Sequence, residues 1–330
     1  MGGGFFQEDR PFVLWRVFQR SPIIFESNNL HQMNYLSVIG CMLFAALFFQ
    51  TCDDVPHPTQ PETALIKVEN EASVADVYAA VKANIEGKGL NVVAEVNHGQ
   101  AAANVGINLR PTRLIIFGNP EVGTKLMQAE QRIGIDLPLK MLVYEAVDGE
   151  TITAYYNGSY LADNYNIDDL EAVEDGIDGA LAMISGNDSE GPDVYVGQKK
   201  INSLQTVESS SGVEATYTKV KQAVLDRSFS VIAEVDHSAA AANVGLELRP
   251  TRLIIFGKPE GGSLLMQSNQ EIGIELPLKI LVWEDAAGNT QMGYYTGTYL
   301  AKRYDIKDQD NVVENIDNAL SAITAEAAGE

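Results

Sequence analysis

Between residues 64 and 185 the chain alternates between two hydrophobic rhythms. Leu65–Glu69 alternates apolar and polar side chains, as a strand half-buried on one face does. Ser73 then stands where a helix cap is expected, ahead of Val74, Val77, Tyr78, Val81 and Ile85. That spacing places five apolar side chains on one helical face, and Gly87 and Gly89 supply the stop. Leu90–Val96 predicts a second strand and Arg113–Phe117 (RLIIF) a short buried third. Gly118-Asn119-Pro120 turns into a middle helix over Glu121–Gln131. Leu139–Glu145 and Thr151–Tyr156 predict a hairpin about Asp148-Gly149. Leu170, Val173, Ile177, Leu181 and Ile184 mark a closing helix. The predicted order is β-α-β-β-α-β-β-α, an α+β layer with a mainly antiparallel sheet.

The same pattern returns. Residues 64–185 align with 203–324 without a gap, at a constant offset of 139. Within 95–145 and 234–284, 36 of 51 positions are identical, whereas the flanking helices match far less well. Gly186–Asp193 reads as an exposed linker within a lead-in spanning 186–202, and residues 325–330 as a tail. Each copy is long enough to bury its own core. Because both copies keep one core, their sheets or sheet edges are expected to pack on each other as an internal pseudo-dimer.

The first 63 residues have a different character. Residues 1–32 show no periodicity. Tyr35–Phe49 is an uncharged run of fifteen residues, short for a membrane-spanning helix and right for a secretory hydrophobic segment. Cys52 follows, and then a polar, proline-containing tether over 53–63. This arrangement resembles a bacterial lipoprotein signal over 33–52 with Cys52 as the acylated residue. Met33 is then the start and 1–32 an upstream extension. An uncleaved signal anchor is the alternative. Either reading places the body at a membrane in the cell envelope, outside the cytoplasm.

Composition narrows the chemistry. Forty-five Asp and Glu against 23 Lys and Arg give a net charge of −22, which disfavours nucleic acid as a partner. Both cysteines lie in the first 52 residues, so no disulfide framework is expected in the body. His98 and His237 occupy equivalent positions. Neither copy holds a second His or any Cys, so no metal site is expected. The two histidines read as structural residues or as polar ligand contacts. Arg110 and Arg113, with Arg249 and Arg252, offer planar forks for a carboxylate or phosphate, or salt bridges to Glu95, Asp136 or Glu145. Lys140 and Glu145 are expected at the rims of an apolar strand. In Tyr155-Tyr156 and Tyr294-Tyr295 one ring of each pair should face the core and the other outward. The loop 118–124 lacks the lysine placement of a P-loop and reads as a turn with a capped helix.

The runs LRPTRLIIFGNP, GTKLMQ, IGIDLPLK and LVYE resemble the bacterial domain-of-unknown-function family numbered 302, present twice over most of the chain beyond the tether. The resemblance implies a fold like that of the TATA-binding protein, a curved antiparallel sheet with helices on one face, and paired domains. It supplies no activity and no cofactor. The favoured expectation is a non-catalytic module binding a small molecule or an envelope protein. Its candidate ligand residues are His98, Asn104, Arg110 and Glu145, with His237, Asn243, Arg249 and Glu284. The alternatives are an enzyme with His98/His237 as base and Arg110/Arg249 as electrostatic stabiliser, and a purely structural envelope domain. An enzyme requires His and Arg to converge in one pocket.

Overall fold

The structure, a computed structural model, describes residues 63–187 and 203–329. Cys52 and the expected signal, nearly all of the tether and most of the linker lie outside the described residues. In the first copy, strand β1 (Ile66–Asn70) leads to helix α1 (Val74–Gly87), whose N-terminus is capped by Ser73 accepting from the Asp76 amide. Its buried residues are the five apolar positions of the sequence pattern. Removing each from water contributes about 1.5–3 kcal/mol. Strands β2 (Asn91–Asn97), β3 (Thr112–Gly118), β4 (Leu139–Glu145) and β5 (Thr151–Tyr155) complete an antiparallel sheet of order β1-β5-β4-β3-β2.

Three elements were not anticipated. Helix α2 (His98–Asn104) starts directly at the end of β2, capped by Asn97. Helix α3 (Pro120–Ala129) ends earlier than expected, and a 3-10 turn over Gln131–Ile135 follows it. Helix α4 (Gly158–Tyr165), capped by Asn157, precedes the closing helix α5 (Glu171–Ser185).

The second copy repeats this order. It comprises β6 (Gln205–Ser209), α6 (Val213–Asp226), β7 (Ser230–Asp236), α7 (His237–Asn243), β8 (Thr251–Gly257) and α8 (Pro259–Ser268). A 3-10 turn (Gln270–Ile274) leads to β9 (Leu278–Glu284), β10 (Thr290–Tyr294), α9 (Gly297–Arg303) and α10 (Asp310–Ala328). Its sheet order, β6-β10-β9-β8-β7, matches the first. Helix α10 runs past Thr324, where the domain was expected to end, because Ala327 and Ala328 are buried.

Register explains how each sheet is used. Glu95 pairs with Ile115, Ile115 with Met141 and Met141 with Tyr155, so these side chains share a face. The Tyr78 hydroxyl on α1 donates to Glu95, and Tyr155 meets Ser185 of α5, so this face carries the copy's own helices. Lys140, Leu142 and Tyr144 point the other way. There Leu142 lies against Gly273 and the Tyr144 hydroxyl donates to Glu271, both in the other copy's 3-10 turn. A Cβ on Gly134 or Gly273 would sit 3.2 Å from Leu281 or 3.1 Å from Leu142, tighter than an ordinary side-chain contact, so glycine gives the closest fit here. Both sheet faces are therefore covered, and the central strands β4 and β9 are buried almost throughout.

That covering corrects two expectations. Lys140 is 7% exposed and lies inside the molecule, not at a rim. Tyr155 and Tyr156 are both buried, as are Tyr294 and Tyr295, because the face expected to meet water meets the other copy instead.

Candidate functional site: the seam between the repeats and two flanking clefts

The residues singled out by type and spacing join the two copies. His98, at the first position of α2, is buried, and its Nε2 donates to the Gly273 carbonyl at 3.2 Å. His237 does the same to Gly134 at 3.1 Å. A carbonyl oxygen only accepts, so Nε2 carries the proton. Burial pushes each imidazole down to about 4, with the carbonyl contacts opposing in part. These rings are neutral at physiological pH.

Arg110 is held by Gln270, whose Oε1 accepts from Nη2 at 2.7 Å and from Nε at 3.1 Å. Gln270 in turn donates to Thr112 Oγ1 at 2.5 Å. Arg249, Gln131 and Thr251 reproduce the arrangement on the other side. Glu145 and Glu284 serve the arginines through their backbone carbonyls, not their carboxylates. Asn104 is exposed, with Gln100 donating to it, and Asn243 is exposed too. Arg113 stacks on Tyr78 and Arg252 on Tyr217. The eight expected ligand residues are thus not gathered into one cavity. His98 borders one cleft, and Glu145 borders a separate open groove.

Between the sheets lies a polar cluster whose members include Asp136, Lys140, Tyr156 and Tyr295, residues the sequence pointed to singly but not together. Asp136 accepts from the hydroxyls of Tyr165 at 2.7 Å and Tyr295 at 2.9 Å. Glu275, its counterpart, accepts from Tyr156 at 3.0 Å and from Lys279 at 2.9 Å. Lys140 and Lys279 lie 3.7 and 3.8 Å from the Asp136 carboxylate. Arg303 packs over the rings of Tyr156, Tyr160 and Tyr304, 3.8 Å from Glu275. The Tyr156 and Tyr304 hydroxyls are 2.6 Å apart. Burial, and next the neighbouring Lys279, lower Lys140 to about 8. Lys279 moves the other way, because Glu275 and Asp136 outweigh its burial. Glu275 is held far below the usual carboxylate range despite its burial, chiefly by Lys279 and Arg303. The one available signal was that IGIDLPLK and IGIELPLK keep both the acid and the lysine at the offset of 139.

Two clefts flank this seam at equivalent positions. The first, of about 640 Å³, opens between α3, α5 and β2, and includes Val93, Val122, Leu139 and Ile177. The second copy completes it with Val235, His237 and Ala240. The second cleft, of about 740 Å³, includes Ile232, Leu278 and Ile316, and is completed by Val96, His98 and Ala101 of the first copy. Val93 and Ile232, partly exposed apolar residues at the β2 and β7 bulges, are equivalents in the two clefts. Gly176, on α5, has open space where a Cβ would stand. The clefts are chiefly apolar, and their size suits a small molecule. Among the described residues no group of three or more His, Cys, Asp or Glu is placed to hold a metal, and no helix is long and apolar enough to cross a membrane.

Among curated proteins, the chain is 35% identical over 138 residues to the fluoride-specific ion channel FluC 1 of Brucella suis biovar 1 (strain 1330), covering 40% of this chain and 53% of that protein. The match to FluC 1 of Brucella abortus biovar 1 (strain 9-941) has the same identity and covers 50% of that protein. The chain spans about half the length of the curated relatives it matches. Among solved structures, an uncharacterized conserved DUF302 protein from Bacillus stearothermophilus superposes with a TM-score of 0.35 at 20% identity, over 38% of this chain and 97% of that one. The model of the family described as domain of unknown function DUF302 matches residues 66–184 and again 205–323. With two such stretches making up most of its length, the chain belongs to the DUF302 family as a tandem repeat.

Proposed function

We propose that the paired repeats form a non-catalytic binding module that takes a small apolar molecule in the two equivalent clefts. The observation that carries this reading is that each cleft is built mainly by one copy and completed by the other. A cleft assembled this way exists only while the copies stay docked. Fluoride conduction, the activity for which the Brucella relatives are named, is not part of this reading.

The enzyme alternative draws no support from the geometry. His98 spends its Nε2 proton on Gly273 and is a weak base, while Arg110 is engaged by Gln270 outside both clefts. An anchor at Cys52 belongs to the same proposal, holding the module at the outer side of a membrane. Labelled palmitate should enter the wild type and not Cys52→Ser.

The cleft reading is tested by filling the first cleft. Gly176→Phe puts a ring into open space on an exposed helical position, where losing glycine favours the helix. An environment-sensitive apolar fluorophore should bind the wild type, and the variant should lose about half of the bound dye with its melting temperature kept. Equal binding by both proteins, or none by either, would overturn the proposal.

A further inference from the structure

The rims of the two clefts contrast with the rest of the surface. In a chain with about twice as many acidic as basic residues, no Asp or Glu is among the described residues lining the first cleft. Its charged side chains are Lys88 and Lys125. Among the described residues, the second cleft is lined by Arg227 and Lys258, with Glu260 as its one acid. Lys88 and Arg227 are equivalents at the offset of 139, so a cation recurs at that place in both copies. The second cation arises differently in each. Lys125 stands on α3, where the second copy has Leu264, and Lys258 precedes α8, where the first copy has Asn119. Two cations per cleft are reached by different residues.

These cations are not tied up alike. Lys88 is exposed, and its Nζ lies 3.3 Å from the Met183 sulfur. Lys258 sits over the Phe229 ring. Lys125 pairs with Glu121 and Arg227 with Glu326, in both cases between partly or fully exposed side chains. Surface pairs of that kind contribute little and exchange readily for another carboxylate. An apolar cleft with cationic groups at its mouth complements a molecule with an apolar body and one negative head. The body displaces water from the cleft, and the head stays near the surface, where its desolvation cost is small.

Resting on the binding reading above, we propose that the clefts take amphiphilic anions, of the class of long-chain carboxylates. The head lies near Lys88 and Lys125 in the first cleft and near Arg227 and Lys258 in the second.

Calorimetric titration of the purified full-length chain with dodecanoate, dodecanol and dodecylammonium tests this, because the three share a linear twelve-carbon skeleton and differ in the charge of the head. Dodecanoate should bind at least tenfold tighter than dodecanol, and dodecylammonium most weakly. The double variant Lys88→Gln/Lys125→Gln should lower dodecanoate affinity at the first cleft several-fold without changing that of dodecanol. Lys88→Arg should retain wild-type binding. Equal affinity for the acid and the alcohol would overturn the anion preference and leave the apolar cleft standing. Failure of all three probes would overturn both. Tighter binding of dodecylammonium would show that the net charge of −22 governs the clefts and would refute the head-group assignment.

Discussion

Asp136, Glu275, Lys140 and Lys279 are buried together, yet the two lysines are not equals. Lys279 contacts Glu275 at 2.9 Å and approaches Asp136, whereas Lys140 lies against the Asp136 carboxylate and carbonyl. Lys279→Met strips Glu275 of its nearest cation and should cost about 3–5 kcal/mol, as breaking a buried ion pair does. Lys140→Met relieves the repulsion between the ammonium groups and leaves Asp136 with Lys279 and two tyrosine hydroxyls, so its cost should be well below that. Urea unfolding of the two variants compares them directly. Equal losses would mean that the two ammonium groups share both carboxylates evenly. Such a cluster is hard to read from sequence, because its members come from the ends of two 3-10 turns, two strands and two short helices, divided between the copies. Residue type suggested rims for Lys140, and only the fold shows which face a strand turns toward its sister copy.

Among the elements, those with a strong hydrophobic period were foreseen within a residue or two. Helix α1 was fixed by five apolar positions, and β3 and β4 by dense β-branched and aliphatic runs. Helix α2 was missed because HGQAAAN carries one buried alanine and no apolar stripe, so tertiary packing and the Asn97 cap decide it. Helices α4 and α9 are short, and each is tied to the closing helix by an aspartate. Asp317 accepts from the Gly297 amide at 2.5 Å and from the Thr298 amide at 3.2 Å, and Asp178 serves Gly158 and Ser159 in the first copy. A Cβ on Gly297 would lie 2.9 Å from the Val313 carbonyl, so the helices touch through backbone. Asp317→Ala should destabilise the fold by about 1–2 kcal/mol, the usual cost of a lost N-terminal cap, with amide exchange quickening first in α9. Unchanged exchange there would remove the latch role.

For the whole molecule, the candidate site was half visible. The sequence marked His98, Arg110 and their equivalents as unusual, and they are, but as ties between copies. The clefts went unseen because their apolar linings look like any core until one knows which positions lack a covering element. The ties make stability depend on pH. Each histidine has a folded value near 4 against 6.5 when free, so between these values the unfolded chain binds more protons. The contribution is complete above about pH 6.5 and falls as pH drops toward 4, by up to about 1.4 kcal/mol per pH unit for each ring. Thermal melts from pH 7 to pH 4 should show this slope, and His98→Gln/His237→Gln should flatten it. A slope that survives in the double variant would assign the acid sensitivity to carboxylates.

Among the described residues the buried cluster holds three cations and two carboxylates, an odd total. Two identical chains around a twofold axis cannot build that, because every group one chain contributes arrives in duplicate. Arg303 faces three tyrosines from both copies, and the residue at its equivalent place is Asn164. Covalent fusion has released these positions from having to suit themselves. Either half can change alone, and the other remains its fixed counterpart. Divergence of one cleft from its twin then requires no compromise at the axis, and a duplicated chain can hold two different specificities inside a single folded body.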